Sequence, residues 1–270
     1  MSKIQDVFNN LAHHNKKALI PFITAGDPHP DMTVDILHTL VESGADMIEL
    51  GIPFSDPMAD GPVIQRASER ALANSVGIKK TIEIAKHFRS SNKHTPIILM
   101  GYANPMEAIG IDNFIELIDD AEVDGVITVD YPPEESSEFV KKLKDKNIDS
   151  IFLLSPTTED DRIKLIIDQA SGFIYYVSLK GVTGSSNIDI NQVSERVKNI
   201  KQFTSLPIGV GFGVRDAKTA KDVAMVADAV VVGSRIVQEV ETSSKEDLLQ
   251  NINKLMTEIK EAISGPWSIE

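Results

Sequence analysis

The sequence contains no cysteine, which excludes disulfide bonds, thiolate metal sites and a cysteine nucleophile. It also contains no run of about 18 apolar residues, so no membrane-spanning helix is expected. Residues 1–11 lack the cationic and apolar segments of a secretory signal peptide. We therefore expect a cytoplasmic protein, and the absence of cysteine is compatible with that reducing compartment.

Positive charge is scarce, since 27 Lys and Arg residues face 40 Asp and Glu residues and give a net charge of −13. Nucleic acids and anionic membrane surfaces are polyanions, so neither is expected as a partner. Hydrophobic residues make up 42% of the chain and charged residues 25%, which is typical of folded globular enzymes. The 270 residues show no linker-like segment, and we predict a single domain over residues 1–270.

Eight short apolar runs alternate with amphipathic stretches along the chain. The runs span residues 18–25, 47–52, 96–102, 125–129, 150–154, 173–179, 207–212 and 229–232. Such runs are typical of buried parallel strands, and the stretches between them have helical spacing. Residues 4–11 add an amphipathic helix before the first run. The pattern predicts a (β/α)8 TIM barrel with an extra N-terminal helix, and an open doubly wound sheet is the alternative.

Three acidic residues lie on the second run or on the loop that follows it. Strand alternation points Glu49 into the barrel near its carboxyl end, where partial desolvation raises a carboxyl pKa and favours acid/base catalysis. The alternative is a glutamate paired with a cation in the barrel floor. Asp56 and Asp60 lie on the loop that follows, either as turn or helix-cap residues or as a second carboxylate over the same opening. A pair of this kind can divide its roles, one as acid/base and the other remaining ionised.

Glycine-rich loops at residues 180–186, 209–214 and 233–235 suggest a phosphate site, because glycines let neutral backbone amides approach an anion. Gly213, Gly233 and Ser234 fall after the seventh and eighth runs, where barrels often bind phosphate. The alternative is that these glycines only form tight turns. Inward-facing aromatic residues at positions 22, 175 and 212 would hold a flat aromatic group, or simply fill the core. Alternation also predicts that Val232 faces inward.

Several catalytic signatures are missing from the sequence. There is no H-E-x-x-H pair, no G-x-S-x-G elbow and no complete dinucleotide fingerprint, so we expect neither a metal nor a cofactor on this chain. No lysine lies within a predicted strand, where a Schiff-base aldolase would need one. Carbon–carbon bond chemistry here would therefore proceed by proton transfer.

The segment ELGIPFSDPMADGPVIQ at residues 49–65 closely resembles the signature of tryptophan synthase alpha chains. Matching segments occur in the family's order at residues 21–28, 181–184, 211–213 and 233–234. The resemblance implies a TIM barrel with an added N-terminal helix. It also implies a lyase of tryptophan biosynthesis that cleaves indole-3-glycerol phosphate to indole and glyceraldehyde 3-phosphate in a retro-aldol reaction.

By matching positions, the resemblance implies that Glu49 is the acid/base and that Asp60 holds the indole N–H. The implied substrate-binding residues are Phe22, Tyr175, Thr183, Gly184, Phe212, Gly213, Gly233 and Ser234. It further implies a pyridoxal-phosphate-dependent beta chain as partner in an α2β2 heterotetramer, docking near residues 53–60, 102–106 and 130–133. A lid is expected at residues 181–188. Two alternatives remain: a barrel isomerase acting on a phosphosugar, and an inactive module that only stimulates the beta chain.

Overall fold

Eight parallel strands close into a barrel in a computed structural model that describes residues 2–178, 189–211 and 213–265. The strands are β1 Ala18–Thr24, β2 Ile48–Gly51, β3 Ile97–Gly101, β4 Gly125–Thr128, β5 Asp149–Leu154, β6 Ile174–Val177, β7 Ile208–Gly211 and β8 Ala229–Val232. Each strand pairs with the next in sequence, and β8 pairs with β1. This closure confirms the TIM barrel and excludes the open doubly wound sheet.

Helices surround the barrel in the described part of the chain. They are α1 Lys3–His13, α2 Pro30–Glu42, α3 Pro62–Ala73, α4 Ile78–Ser91, α5 Ala103–Ile109, α6 Ile111–Asp120, α7 Ser137–Asp145, α8 Asp160–Ile167, α9 Ile190–Ile200, α10 Ala217–Ala224, α11 Ser234–Thr242 and α12 Leu248–Ala262. The apolar faces of α2 to α12 and the outward side chains of the strands form one continuous buried layer. None of these helices combines the length and the apolar character that a membrane crossing needs.

The inward side chains of the strands form a second apolar cluster, and α1 closes the barrel beneath it. Ile4 and Phe8 of α1 belong to this cluster, with the ring centroids of Phe8 and Phe173 5.7 Å apart. A Cβ added to Gly125 would lie 2.9 Å from Cδ1 of Ile4, so this glycine lets the helix approach the start of β4. The predicted N-terminal helix is confirmed, and it covers the end of the barrel opposite the catalytic face.

The predicted inward position of Val232 is wrong. Val232 packs in the outer layer against the helices, whereas Val231 belongs to the inner cluster. Parallel register explains the difference, because Val231 is paired with Ile20 of β1, whose side chain also points inward. The β8 run is apolar on both faces, and its sequence carries no alternation from which the phase can be determined.

Candidate active site

A cavity of about 440 Å³ opens at the carboxyl ends of the strands, a volume suited to a small organic ligand. Seven of the residues proposed from the sequence line it together: Phe22, Glu49, Asp60, Tyr175, Gly213, Gly233 and Ser234. Three others, Thr183, Gly184 and Phe212, lie outside the described residues, as does the expected lid. One site is thus formed by residues of β1, β2 and β6 and of the loops that follow β2, β7 and β8.

Glu49 is completely buried at the inner end of this cavity, 0% exposed, on β2 next to Phe22 of β1. Among the described residues, neither of its carboxyl oxygens has a hydrogen-bond partner. Burial raises the pKa of Glu49 well above its usual value of 4.5, because a carboxylate loses hydration there without compensation. The described residues therefore offer no cation pair in the barrel floor, and they leave a carboxyl suited to proton donation.

Asp60 lies on the loop between β2 and α3 and has a more polar environment. The Tyr102 hydroxyl donates a hydrogen bond to its Oδ2 at 3.1 Å and accepts one from the Ala59 backbone N–H at 3.0 Å. Burial raises the pKa of Asp60, and the hydrogen bond from Tyr102 opposes that rise by stabilising the carboxylate. The helix-cap alternative does not hold, since Gly61 occupies the N-cap of α3.

The neighbouring Asp56 has a different place in the structure. Its carboxylate accepts a hydrogen bond from the Ser55 hydroxyl at 2.7 Å, and the residue is exposed. It is absent from the cavity lining, whereas Asp60 is part of it. The structure thereby distinguishes the two acidic residues of this loop, as the family resemblance did, whereas the loop's residue types alone left both open.

Two strand-end glycines make room for the aromatic walls of the cavity. A Cβ at Gly51 would lie 2.6 Å from Cζ of Phe22, and a Cβ at Gly211 would lie 2.7 Å from Cζ of Tyr175. Any larger residue at either position would displace a ring. Burial, with a smaller contribution from the nearby charge of Glu49, raises the pKa of Tyr175 well above its usual value. Its hydroxyl therefore stays neutral at physiological pH.

The loops after β7 and β8 bring backbone groups to the opposite side of the cavity. Gly213 has φ +86°, a left-handed conformation that glycine adopts without steric cost. Gly233 is the N-cap of α11, which begins at Ser234 with no side-chain cap and no acidic residue in its first turn. The first N–H groups of a helix and its dipole attract anions, so this arrangement suits a phosphate group.

Comparison with known proteins agrees with this geometry. Residues 8–264 match the tryptophan synthase alpha chain family. The chain belongs to that family. A curated tryptophan synthase alpha chain from Nitrosomonas europaea is 53% identical over 265 residues, covering 98% of this chain and 96% of the relative. One from Janthinobacterium sp. is 55% identical over 263 residues, covering 97% of this chain and 99% of the relative.

Solved structures give the same assignment. The crystal structure of tryptophan synthase subunit alpha from Legionella pneumophila superposes with a TM-score of 0.91 at 42% identity, covering 97% of this chain and 98% of that one. The resemblance in the sequence is thus confirmed, and with it the expectation of a lyase of tryptophan biosynthesis. Sequence reasoning about this member of the family nevertheless missed part of its cavity lining. The missed residues include Ile64, Arg215, Arg235 and Gln238.

Proposed function

We propose that this tryptophan synthase alpha chain cleaves indole-3-glycerol phosphate with Glu49 as acid/base and Asp60 as electrostatic partner. The observation that supports the proposal is the unequal setting of the two carboxyls in one cavity. Glu49 is fully buried with no described partner, and Asp60 is hydrogen-bonded by Tyr102. Environments that separate the pKa values of two carboxyls are how one site supplies both an acid and an anion near neutral pH.

The reaction begins with proton transfer from Glu49 to C3 of the indole ring. Positive charge then develops on the ring nitrogen, and the Asp60 carboxylate accepts a hydrogen bond from that N–H. The bond between C3 and the carbinol carbon breaks, and its electron pair returns to the ring. The carbinol hydroxyl gives its proton to the Glu49 carboxylate as the aldehyde forms. Indole and glyceraldehyde 3-phosphate leave, and Glu49 is again protonated.

The cavity walls fit the two ends of such a substrate. Phe22 and Tyr175 supply flat apolar surface for the indole, and Gly213, Gly233 and Ser234 supply backbone amides for the phosphate. Thr183, Gly184 and Phe212 would complete the substrate-binding set that the family resemblance implies. A phosphosugar isomerase would need the phosphate end but would have no use for aromatic walls at the other.

Lysine chemistry finds no support in the described site. The eight described strands contain no lysine, and none of the described residues lining the cavity is a lysine. A Schiff-base aldolase needs a lysine amine within reach of the substrate carbonyl. Direct proton transfer by carboxyl groups therefore remains the mechanism that the site supports. We propose no metal or cofactor for this chain.

We further propose that a pyridoxal-phosphate-dependent beta chain docks on the rim to form a cytoplasmic α2β2 complex. The expected docking segments 53–60, 102–106 and 130–133 follow β2, β3 and β4 on the same rim. Met58, 85% exposed, offers an apolar side chain there. Tyr102 belongs to one docking segment and contacts Asp60 of another, which gives docking a direct connection to the acidic pair.

Indole release from indole-3-glycerol phosphate, with and without a beta chain, tests the proposal. Glu49→Gln and Asp60→Asn should each lower turnover by about 10²- to 10⁴-fold with the fold intact, the range typical of lost acid/base groups. Asp56→Asn, on the same loop but outside the cavity, should retain the turnover measured without the beta chain. Turnover of a ring-opened phosphosugar with no indole release would favour the isomerase. An inactive wild-type chain that still stimulates the beta chain would favour the binding module.

A further inference from the structure

Two arginines line the phosphate side of the cavity, and the proposed mechanism does not use them. Arg215 lies two residues after Gly213, and Arg235 lies two residues after Gly233. The two carboxyls enter the same cavity from β2 and from the loop that follows it. The cavity is therefore lined by arginines that follow β7 and β8 on one side and by carboxyl residues on the β2 side.

Arg235 occupies a position where a helix disfavours a cation. It lies in the first turn of α11, at the positive end of the helix dipole, and Gly233 provides no side-chain cap. Its Nη1 is 2.7 Å from Oε2 of Glu239, one helical turn further on, and both side chains are partly buried. A positive charge at a helix N-terminus is unfavourable because it faces the positive end of the helix dipole. Residues that break a local preference of this kind are expected at functional sites, where a bound ligand compensates for the cost.

Arg215 has a comparable position after β7. It directly precedes Asp216, the N-cap of α10, whose carboxylate accepts the backbone N–H of Thr219 at 2.8 Å. Hydrogen bonds from Thr219 lower the pKa of Asp216, and the positive charge of Arg215 adds to the effect. Arg215 thus lies beside the start of α10 and is also part of the cavity lining.

We propose that Arg215 and Arg235 recognise the substrate's phosphate and select its dianionic form. This inference rests on the proposed function and deepens it. Backbone amides carry no net charge, so the arginines would add positive charge that the amides lack, in a chain whose net charge is −13. Guanidinium groups bind phosphate through charge-assisted, often bidentate hydrogen bonds. The same arrangement orients the substrate, because a reversed substrate would place its phosphate against Glu49 and Asp60.

Steady-state kinetics and phosphate binding test the assignment in Arg215→Gln, Arg235→Gln and the double variant. Each single change should raise KM for indole-3-glycerol phosphate about 10-fold, equivalent to about 1.4 kcal/mol, with a much smaller change in kcat. The inhibition constant of inorganic phosphate should rise in parallel, and the affinity for indole alone should stay constant. Arg235→Lys should recover part of the loss, since a lysine retains the charge but not the fork.

Arg162→Gln is the matched control, because Arg162 also pairs with one glutamate, Glu134, at 2.7 Å and does not line the cavity. The selection of the dianion adds a second readout. Substrate KM should fall as pH rises through the second phosphate pKa of about 6, more steeply in the wild type than in the double variant.

An unchanged KM and an unchanged phosphate inhibition in the double variant would overturn the assignment. An equal shift in Arg162→Gln would overturn it too, because the effect would then be one of overall charge. Calorimetric titration with inorganic phosphate measures the affinity of the protein for phosphate and requires no turnover. A wild-type chain that releases no indole, yet loses phosphate binding on Arg215→Gln and Arg235→Gln, would refute the proposed function and leave the arginine assignment standing.

Discussion

Replacement of Glu49 by glutamine should remove a loss of stability that the wild type shows as pH rises, although it lowers turnover by about 10²- to 10⁴-fold. Glu49 has a folded-state pKa raised well above 4.5 by burial, so the folded protein retains a proton that the unfolded chain releases. The contribution of that proton to stability is complete below the unfolded pKa. It decreases as pH rises and is lost once pH passes the folded pKa.

The size of the expected stability difference follows from the coupling between proton binding and the free energy of unfolding. One bound proton changes the free energy of unfolding by at most about 1.4 kcal/mol per pH unit. Between pH 5 and pH 7 the wild type should therefore lose up to about 2.7 kcal/mol relative to Glu49→Gln. A buried glutamine amide also lacks partners among the described residues, but its cost does not vary with pH. The slope of the stability difference against pH thus isolates the carboxyl.

Urea unfolding of both proteins at pH 5, 6, 7 and 8 measures this slope. Glu83→Gln is the control, since Glu83 is 65% exposed on α4 and pairs with Lys80 at 3.0 Å. The difference between wild type and Glu49→Gln should increase with pH and become constant above the raised pKa. Glu83→Gln removes only an exposed ion pair and should change the free energy of unfolding by less than about 1 kcal/mol. Parallel stability profiles for wild type and Glu49→Gln would refute the claim that Glu49 is held protonated by burial.

Two further substitutions test packing and charge around the site. Gly211→Ala should displace the Tyr175 ring, destabilise the protein by about 1 to 3 kcal/mol and raise KM for the substrate. Gly265→Ala, with open space at its Cβ, is the control and should do neither. A Gly211→Ala protein with wild-type KM and stability would contradict the packing argument. Asp27→Asn should cost about 3 kcal/mol in urea unfolding, because this buried carboxylate receives two hydrogen bonds from Arg70 at 2.7 and 2.9 Å. A loss below about 1 kcal/mol, as for an exposed ion pair, would contradict that expectation.

Local patterns in the sequence were sufficient for the barrel and for the inward position of Glu49. The eight runs are short, bounded and separated by helical spacing, so their number and order could be counted directly. Glu49 could be placed on the inner face because it interrupts an apolar strand near its end. The same reasoning failed for Val232, whose strand is apolar on both faces and takes its phase from pairing with β1.

Other features of the site depend on contacts distant in sequence. Tyr102 reaches Asp60 across 42 positions, and only the closed barrel brings the two loops together. The complete burial of Glu49 likewise arises from neighbouring strands and not from its own segment. The glycines after β7 and β8 predict backbone amides for an anion and do not by themselves indicate Arg215 and Arg235. The basic residues beside those glycines were the available signal.

A crystal structure with a non-cleavable indole alkyl phosphate would test the central claim most directly. The phosphate should lie against the backbone amides near Gly213 and Ser234, with the indole between Phe22 and Tyr175. The Glu49 carboxyl should then lie about 3 to 3.5 Å from C3 of the ring, the distance required for proton transfer. An analogue bound outside the barrel opening, or in the reverse orientation with Glu49 remote from the ring, would contradict the account.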